Sequence, residues 1–221
     1  MNFVGGAQSL GDWYGRVLGT ALRRIAPALL AVALIAGVSL WMGYDWIMVN
    51  VPQALSKASP ENLQKLSDRV REMPDLSSLQ ESINAPFLFL NNTRAVTLIF
   101  FAGLFSFSVL GVLLYMLNIG IIGGLFGLFQ LLGIQPWPIF LAGVVPHGVF
   151  EIPALMIGSA VVLYMGVAIV TPQTGKSMGE VILELFADWA KIFIGLVVPL
   201  LAVAAMIEAY ITPTLLQNVL K

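Results

Sequence analysis

A chain of 221 residues that is 58% hydrophobic and 10% charged, with a net charge of −1, carries no basic surface for nucleic acid. It has no cysteine, which excludes disulfides and thiolate metal sites. Several apolar runs reach the roughly 20 residues that cross a bilayer, and their unbroken character argues against a β-barrel, whose strands alternate apolar and polar residues. The expected fold is all-α: a polytopic transmembrane helical bundle of about five spans, with broken or short helices and flanking amphipathic helices. Residues 1–221 read as one membrane domain.

Residues 8–24 place Leu10, Trp13, Tyr14, Val17, Leu18 and Ala21 at helical spacing. They read either as an interfacial helix or as a plain helical lead-in. The first span is expected from about Ala26 to Val49. Arg23 and Arg24 before it put the N-terminus in the cytoplasm by the positive-inside rule. Residues 50–90 are then an extracytoplasmic loop. Leu63, Leu66, Val70 and Met73 predict a short amphipathic helix within it.

Asn91-Asn92-Thr93-Arg94 opens the next apolar run, and no charge appears from Ala95 to Pro136. That is about twice the length of one crossing. Asn118-Ile119-Gly120 and Gly123-Gly124 are the expected break. This leaves 120–132 as a short span or a re-entrant segment, and the re-entrant form would invert the sides of everything after it. The fourth element covers about Trp137 to Val170. Its prolines at 138, 146 and 153 predict a broken stretch at 136–146 and a helix proper from Pro146. Residues 177–191 set Met178, Val181, Ile182, Leu185, Phe186 and Trp189 against Glu180, Glu184 and Asp188, an amphipathic helix on the cytoplasmic side. The last span runs from about Ile192 to Ile211, with Pro213 expected to end the helix.

Pro146-His147-Gly148-Val149-Phe150-Glu151 holds the only histidine of the chain. His147 and Glu151 are spaced i, i+4, one turn apart on one helix face, and Ala154 and Gly158 continue that face as small residues. Ionisable groups in a span are costly and mark candidate sites. With five crossings and the N-terminus inside, Asn91, Asn92 and Arg94, then His147 and Glu151, then Glu208 all fall at the outer end of their spans. These six are the candidate binding residues. His147, Glu151 and Glu208 supply one imidazole and two carboxylates, a set that suits a divalent metal such as zinc. The plainer readings are Asn91 or Asn92 as a helix N-cap, Arg94 and Glu208 snorkelling to headgroups, and His147 with Glu151 as interhelical glue.

Three stretches together resemble the stage II sporulation protein M family: Asn91-Asn92-Thr93-Arg94, Pro146-His147-Gly148-Val149-Phe150-Glu151-Ile152-Pro153-Ala154, and Ile207-Glu208-Ala209-Tyr210-Ile211-Thr212-Pro213. The middle one is the most specific. The resemblance covers about Pro86 to the C-terminus. It implies a multipass inner-membrane protein. In sporulating bacteria the family member is a membrane partner of the D and P proteins, which hydrolyse peptidoglycan during engulfment. The resemblance brings no catalytic residues with it.

Three functions compete. The first is a scaffold or recruiter of cell-envelope or peptidoglycan-remodelling proteins, which the resemblance favours over an enzyme. The second is a metal-dependent intramembrane enzyme or a metal-stabilised bundle on His147, Glu151 and Glu208. It lacks the HExxH pattern of a zinc protease. The third is a proton-coupled transporter or channel, against which the absence of internal repeats counts. The partners implied are the lipid bilayer, envelope-remodelling proteins and a second copy of the chain as a homo-oligomer, with no nucleic acid.

Overall fold

The computed structural model describes residues 11, 13–62, 64, 65, 84–171 and 175–219, and these contain no strand. The chain is a multipass membrane protein with five helical runs long and apolar enough to cross a bilayer. They are α1 (Gly19–Lys57), α2 (Ala85–Phe105), α3 (Val109–Leu131), α5 (Val145–Val170) and the pair α6 (Met178–Ile192) and α7 (Val198–Tyr210). Two shorter helices complete the bundle, α4 (Pro136–Gly143) and α8 (Thr212–Val219).

At its centre is α5, which packs against α1, α2, α3, α6 and α7. Its middle is built from small and medium residues, with Ala154, Gly158, Ser159, Ala160, Val161, Val162, Met165 and Gly166 all buried. Small side chains let neighbouring backbones approach closely, which is how helices associate where no hydrophobic force separates them from lipid. At Gly158 a Cβ would come within 2.7 Å of Val96 Cγ1 on α2.

Length is the first surprise. With 39 residues, α1 is about 58 Å long at 1.5 Å per residue, against roughly 30 Å of hydrocarbon. It absorbs residues 50–57 of the segment expected to be loop. At its other end a wide helical turn, Trp13–Leu18, runs straight into it. Leu18 and Ala21 are buried in the core, so this stretch continues the first span and does not form a separate interfacial helix. The Leu10 position and the side chains of Trp13, Tyr14 and Val17 lie outside the described residues. So do Leu63, Leu66, Val70 and Met73 of the expected amphipathic helix. Residues 60–62 ahead of them are helical.

A second departure concerns the start of α2. The helix begins at Ala85 and is capped by Asn84, whose Oδ1 accepts from the Phe87 N–H at 3.0 Å. Asn91 and Asn92 are therefore interior helical residues, and neither is an N-cap. The sequence signal was present, an Asn just before Ala85-Pro86, but the polar Asn91–Arg94 run masked it.

The third departure is the position of the break in the long uncharged run. No break occurs at 118–124, because α3 is one unbroken helix of 23 residues. At about 35 Å it is long enough to span a bilayer, so residues 120–131 are the second half of one spanning-length helix and not a separate short segment. The chain turns instead at Ser106–Ser108, where Phe107 and Ser108 take φ of 51° and 76°. The turn is held by side chains. Ser108 Oγ donates to the Val162 carbonyl of α5 at 2.7 Å, and Ser106 Oγ accepts from the Leu110 N–H at 2.8 Å.

The glycines that looked like a break form a contact face. Gly120, Gly123 and Gly127 lie along one side of α3 at helical spacing and meet Gly43, Leu40 and Tyr44 of α1. A Cβ at Gly123 would overlap the Leu40 carbonyl, and one at Gly43 would overlap the Gly120 carbonyl. Hydrogen bonds hold this parallel pair at both ends. Tyr115 Oη, fully buried, donates to the Val32 carbonyl at 3.3 Å. Tyr44 Oη donates to Gln130 Oε1 at 3.0 Å.

The broken stretch at 136–146 forms as expected: α4 ends at Gly143, Val144 interrupts, and α5 starts at Val145. The amphipathic α6 also forms, opened by a capping box between Ser177 and Glu180. Its apolar side buries Val181 and Leu185 and stacks Trp189 on Phe100 of α2, with ring centroids 3.9 Å apart. Its acidic stripe is occupied internally. Asp188 pairs with Arg24 at 2.7 Å and Lys191 at 3.0 Å, Glu184 pairs with Lys176, and Glu180 closes the cap. A wide turn at Phe193–Val197 joins α6 to α7. Pro199 lies just beyond it, where its missing N–H removes a helical hydrogen bond. The last span ends at Tyr210, just ahead of Pro213 as expected, but a further short helix, α8, begins at Thr212 and lays Leu216 against Gly143 of α4.

Candidate functional site

Three elements meet where α5 begins. Val144 stops α4, and Pro146 occupies the first turn of α5, where its lack of an N–H is harmless. This places His147 and Glu151 in the first two turns, on one face. On the other side, α7 ends at Tyr210, and only Ile211 separates it from α8. That tight corner holds Glu208 in the last turn of α7 and Thr212 at the start of α8.

The two halves face each other. His147, Glu151 and Glu208 each present one ligand atom, and these three atoms lie within 4.8 Å of one another. His147 Nε2 is 3.8 Å from Glu151 Oε2, and their side chains are 12% and 30% exposed. The other ring nitrogen, Nδ1, is 3.4 Å from Thr212 Oγ1. Among the described residues no lysine or arginine forms an ion pair with Glu151 or Glu208. Two carboxylates thus converge on an imidazole with no side-chain cation paired to them among the described residues.

Of the other candidates, Asn91 and Arg94 occupy exposed positions on α2, and Asn92 is half-buried. Among the described residues, no hydrogen bond or ion pair joins any of the three to His147, Glu151 or Glu208. The Asn92 Nδ2 is itself buried without a hydrogen-bond partner, as is the Thr93 hydroxyl beside it. Thr212 was missed by the sequence reading. It lies in the same stretch as Glu208, but a threonine just ahead of a proline reads as an ordinary helix start. Only the approach of His147, 65 residues away, gives it another role.

Chemically, this arrangement can accept a cation between one nitrogen and two oxygens. The Thr212 hydroxyl can accept a hydrogen bond from His147 Nδ1–H, which would fix the tautomer and leave the Nε2 lone pair facing the glutamates.

Comparison with known proteins adds three findings. The family model described as stage II sporulation protein M matches residues 26–213. An uncharacterised protein of Methanocaldococcus jannaschii is 29% identical over 157 residues, which cover 70% of this chain and 84% of that protein. No solved structure matches the chain.

Proposed function

The chain belongs to the stage II sporulation protein M family, and from that premise we propose that it is a plasma-membrane scaffold that recruits envelope-remodelling proteins. The observation that carries this reading is the length of α1. The helix continues through residues 50–57, about 12 Å past its apolar span. It delivers the polar segment that follows to the end of the bundle where α5 begins. A rigid helix rooted in the core by backbone contact with α3 suits a protein that holds a partner at a set height above the bilayer. The N-terminus is cytoplasmic in this reading, since Arg23 and Arg24 flank the first span. The segment between α1 and α2 is then extracytoplasmic, and α6 lies at the cytoplasmic face.

Two measurements test it. A cysteine placed at Ser59, in a chain with no other thiol, is expected to react with an impermeant maleimide on intact cells or spheroplasts. Labelling only after lysis would reverse the orientation. Deletion of residues 60–82 is expected to leave the melting temperature of the purified protein unchanged and to abolish co-purification of peptidoglycan-remodelling enzymes from cross-linked membranes. Retention of those enzymes by the deleted protein would remove the segment from recruitment.

A further inference from the structure

We propose that His147, Glu151 and Glu208 bind a divalent transition-metal ion of the zinc type, which clamps the start of α5 to the α7–α8 corner. Three separate observations lead there.

The first is geometric. Three potential ligand atoms from two chain segments lie within 4.8 Å of one another. Ligands around a tetrahedral zinc at about 2.1 Å are about 3.4 Å apart, so closing the cluster requires only small side-chain rotations. The short Ile211 link at the α7–α8 corner limits how far Glu208 can move from its partners.

The second is electrostatic. Glu151 and Glu208 approach each other and His147 within the ends of membrane spans, with no lysine or arginine paired to either among the described residues. Among the described residues neither carboxylate is hydrogen-bonded, and His147 Nε2 stands 3.8 Å from Glu151 Oε2, beyond hydrogen-bond reach. Carboxylates away from water are costly unless they are paired or hold a metal. A divalent cation balances both at once.

The third is orientation. His147 Nδ1 lies 3.4 Å from Thr212 Oγ1 while Nε2 lies toward the carboxylates. Metal-binding histidines typically donate their second ring N–H to an oxygen nearby, which fixes the ring and raises the basicity of the ligating nitrogen. Thr212 is positioned to be that oxygen. The imidazole also selects the metal class, since calcium and magnesium prefer all-oxygen sites, whereas nitrogen with carboxylate suits zinc and its first-row neighbours.

The clamp has a structural consequence. From the α7–α8 corner, α8 runs back against α4, with Leu216 on Gly143. Metal occupancy therefore ties α8, and through it α4, to the centre of the bundle. This inference does not depend on the recruitment reading, because the ligands lie outside residues 60–82.

The test uses the full chain purified in detergent and stripped with a chelator. Zinc titration followed by calorimetry is expected to give one equivalent per chain and a higher melting temperature, with magnesium and calcium giving neither. Cobalt(II) in place of zinc is expected to show the visible absorption of a four-coordinate nitrogen–oxygen site. His147→Ala, Glu151→Gln and Glu208→Gln should each lower zinc affinity at least 100-fold. Thr212→Val should lower it 10- to 100-fold while keeping the stoichiometry. Circular dichroism checks that each variant remains helical. The amide variants have nearly the same shape as the glutamates, so wholesale unfolding is not expected, and the wild-type titration stands without them. Absence of saturable zinc binding to the wild-type chain would overturn the site. So would binding that survives all three ligand substitutions.

Discussion

Gly123→Leu is expected to separate α1 from α3 and to cost the detergent-solubilised protein about 3 kcal/mol or more, the upper end of what overpacking does. Gly43→Leu should behave the same way. At both positions the obstacle to an added Cβ is the main chain of the facing helix, the Leu40 carbonyl in one case and the Gly120 carbonyl in the other. A backbone cannot rotate aside as a side chain can, so the helices must move apart along their contact. That movement would also break the Tyr115–Val32 and Tyr44–Gln130 hydrogen bonds that hold the pair. Gly158→Leu provides the internal scale. There the new atoms meet Val96 Cγ1, a side chain that can shift, and the expected cost is the ordinary 1–3 kcal/mol, roughly. Melting temperatures of the three variants by intrinsic fluorescence check the order. If Gly158→Leu proved as damaging as Gly123→Leu, the backbone contact between α1 and α3 would not be the tighter of the two.

Gly166→Leu is expected to be comparably severe at a different interface. A Cβ there would overlap the Ser108 hydroxyl and come within 2.7 Å of the Phe107 carbonyl. Those atoms belong to the turn between α2 and α3, whose two residues with positive φ have side chains that disfavour that conformation. What holds the turn is the Ser108–Val162 hydrogen bond, and a leucine at 166 expels Ser108 from it. Ser108→Ala isolates the bond alone. A buried hydrogen bond is worth about 1 kcal/mol, and the abandoned Val162 carbonyl still has its helical partner, so a loss of about 1–2 kcal/mol is expected. Limited proteolysis and thermal melts of both variants check this. Equal stability of Gly166→Leu and wild type would mean that the turn is not seated on α5.

The sequence alone determined the class of molecule and much of its order. Apolar runs of bilayer length leave helices as the only economical way to satisfy backbone hydrogen bonds, so five crossings could be counted without a structure. Pro146 forced an interruption near Val144, because it cannot donate to the Ala142 carbonyl the hydrogen bond that would continue α4. The i, i+4 spacing of His147 and Glu151 put both on one face through helical geometry alone. The amphipathic period of residues 177–191 is likewise a local fact.

What the tertiary structure decided are the features for which local composition is ambiguous. A glycine in an apolar run can break a helix or let another helix touch it. Gly120, Gly123 and Gly127 do the latter only because α1 supplies a matching surface, with Leu40, Gly43 and Tyr44 opposite them. The real break falls on Phe107 and Ser108, residues with no breaking tendency of their own, because α5 offers a carbonyl at Val162 and a gap at Gly166 to receive the turn. The approach of Glu208 and Thr212 to His147 is of the same kind. These residues are about 60 positions apart in the chain, and depth in a membrane says nothing about which helix faces which. That choice came from the packing of α7 on α5, where α7 buries the small residues Ala204 and Ala205 and the middle of α5 is likewise built from small buried residues. Those residues are small enough to bring two backbones, and the polar groups at their ends, within reach of each other.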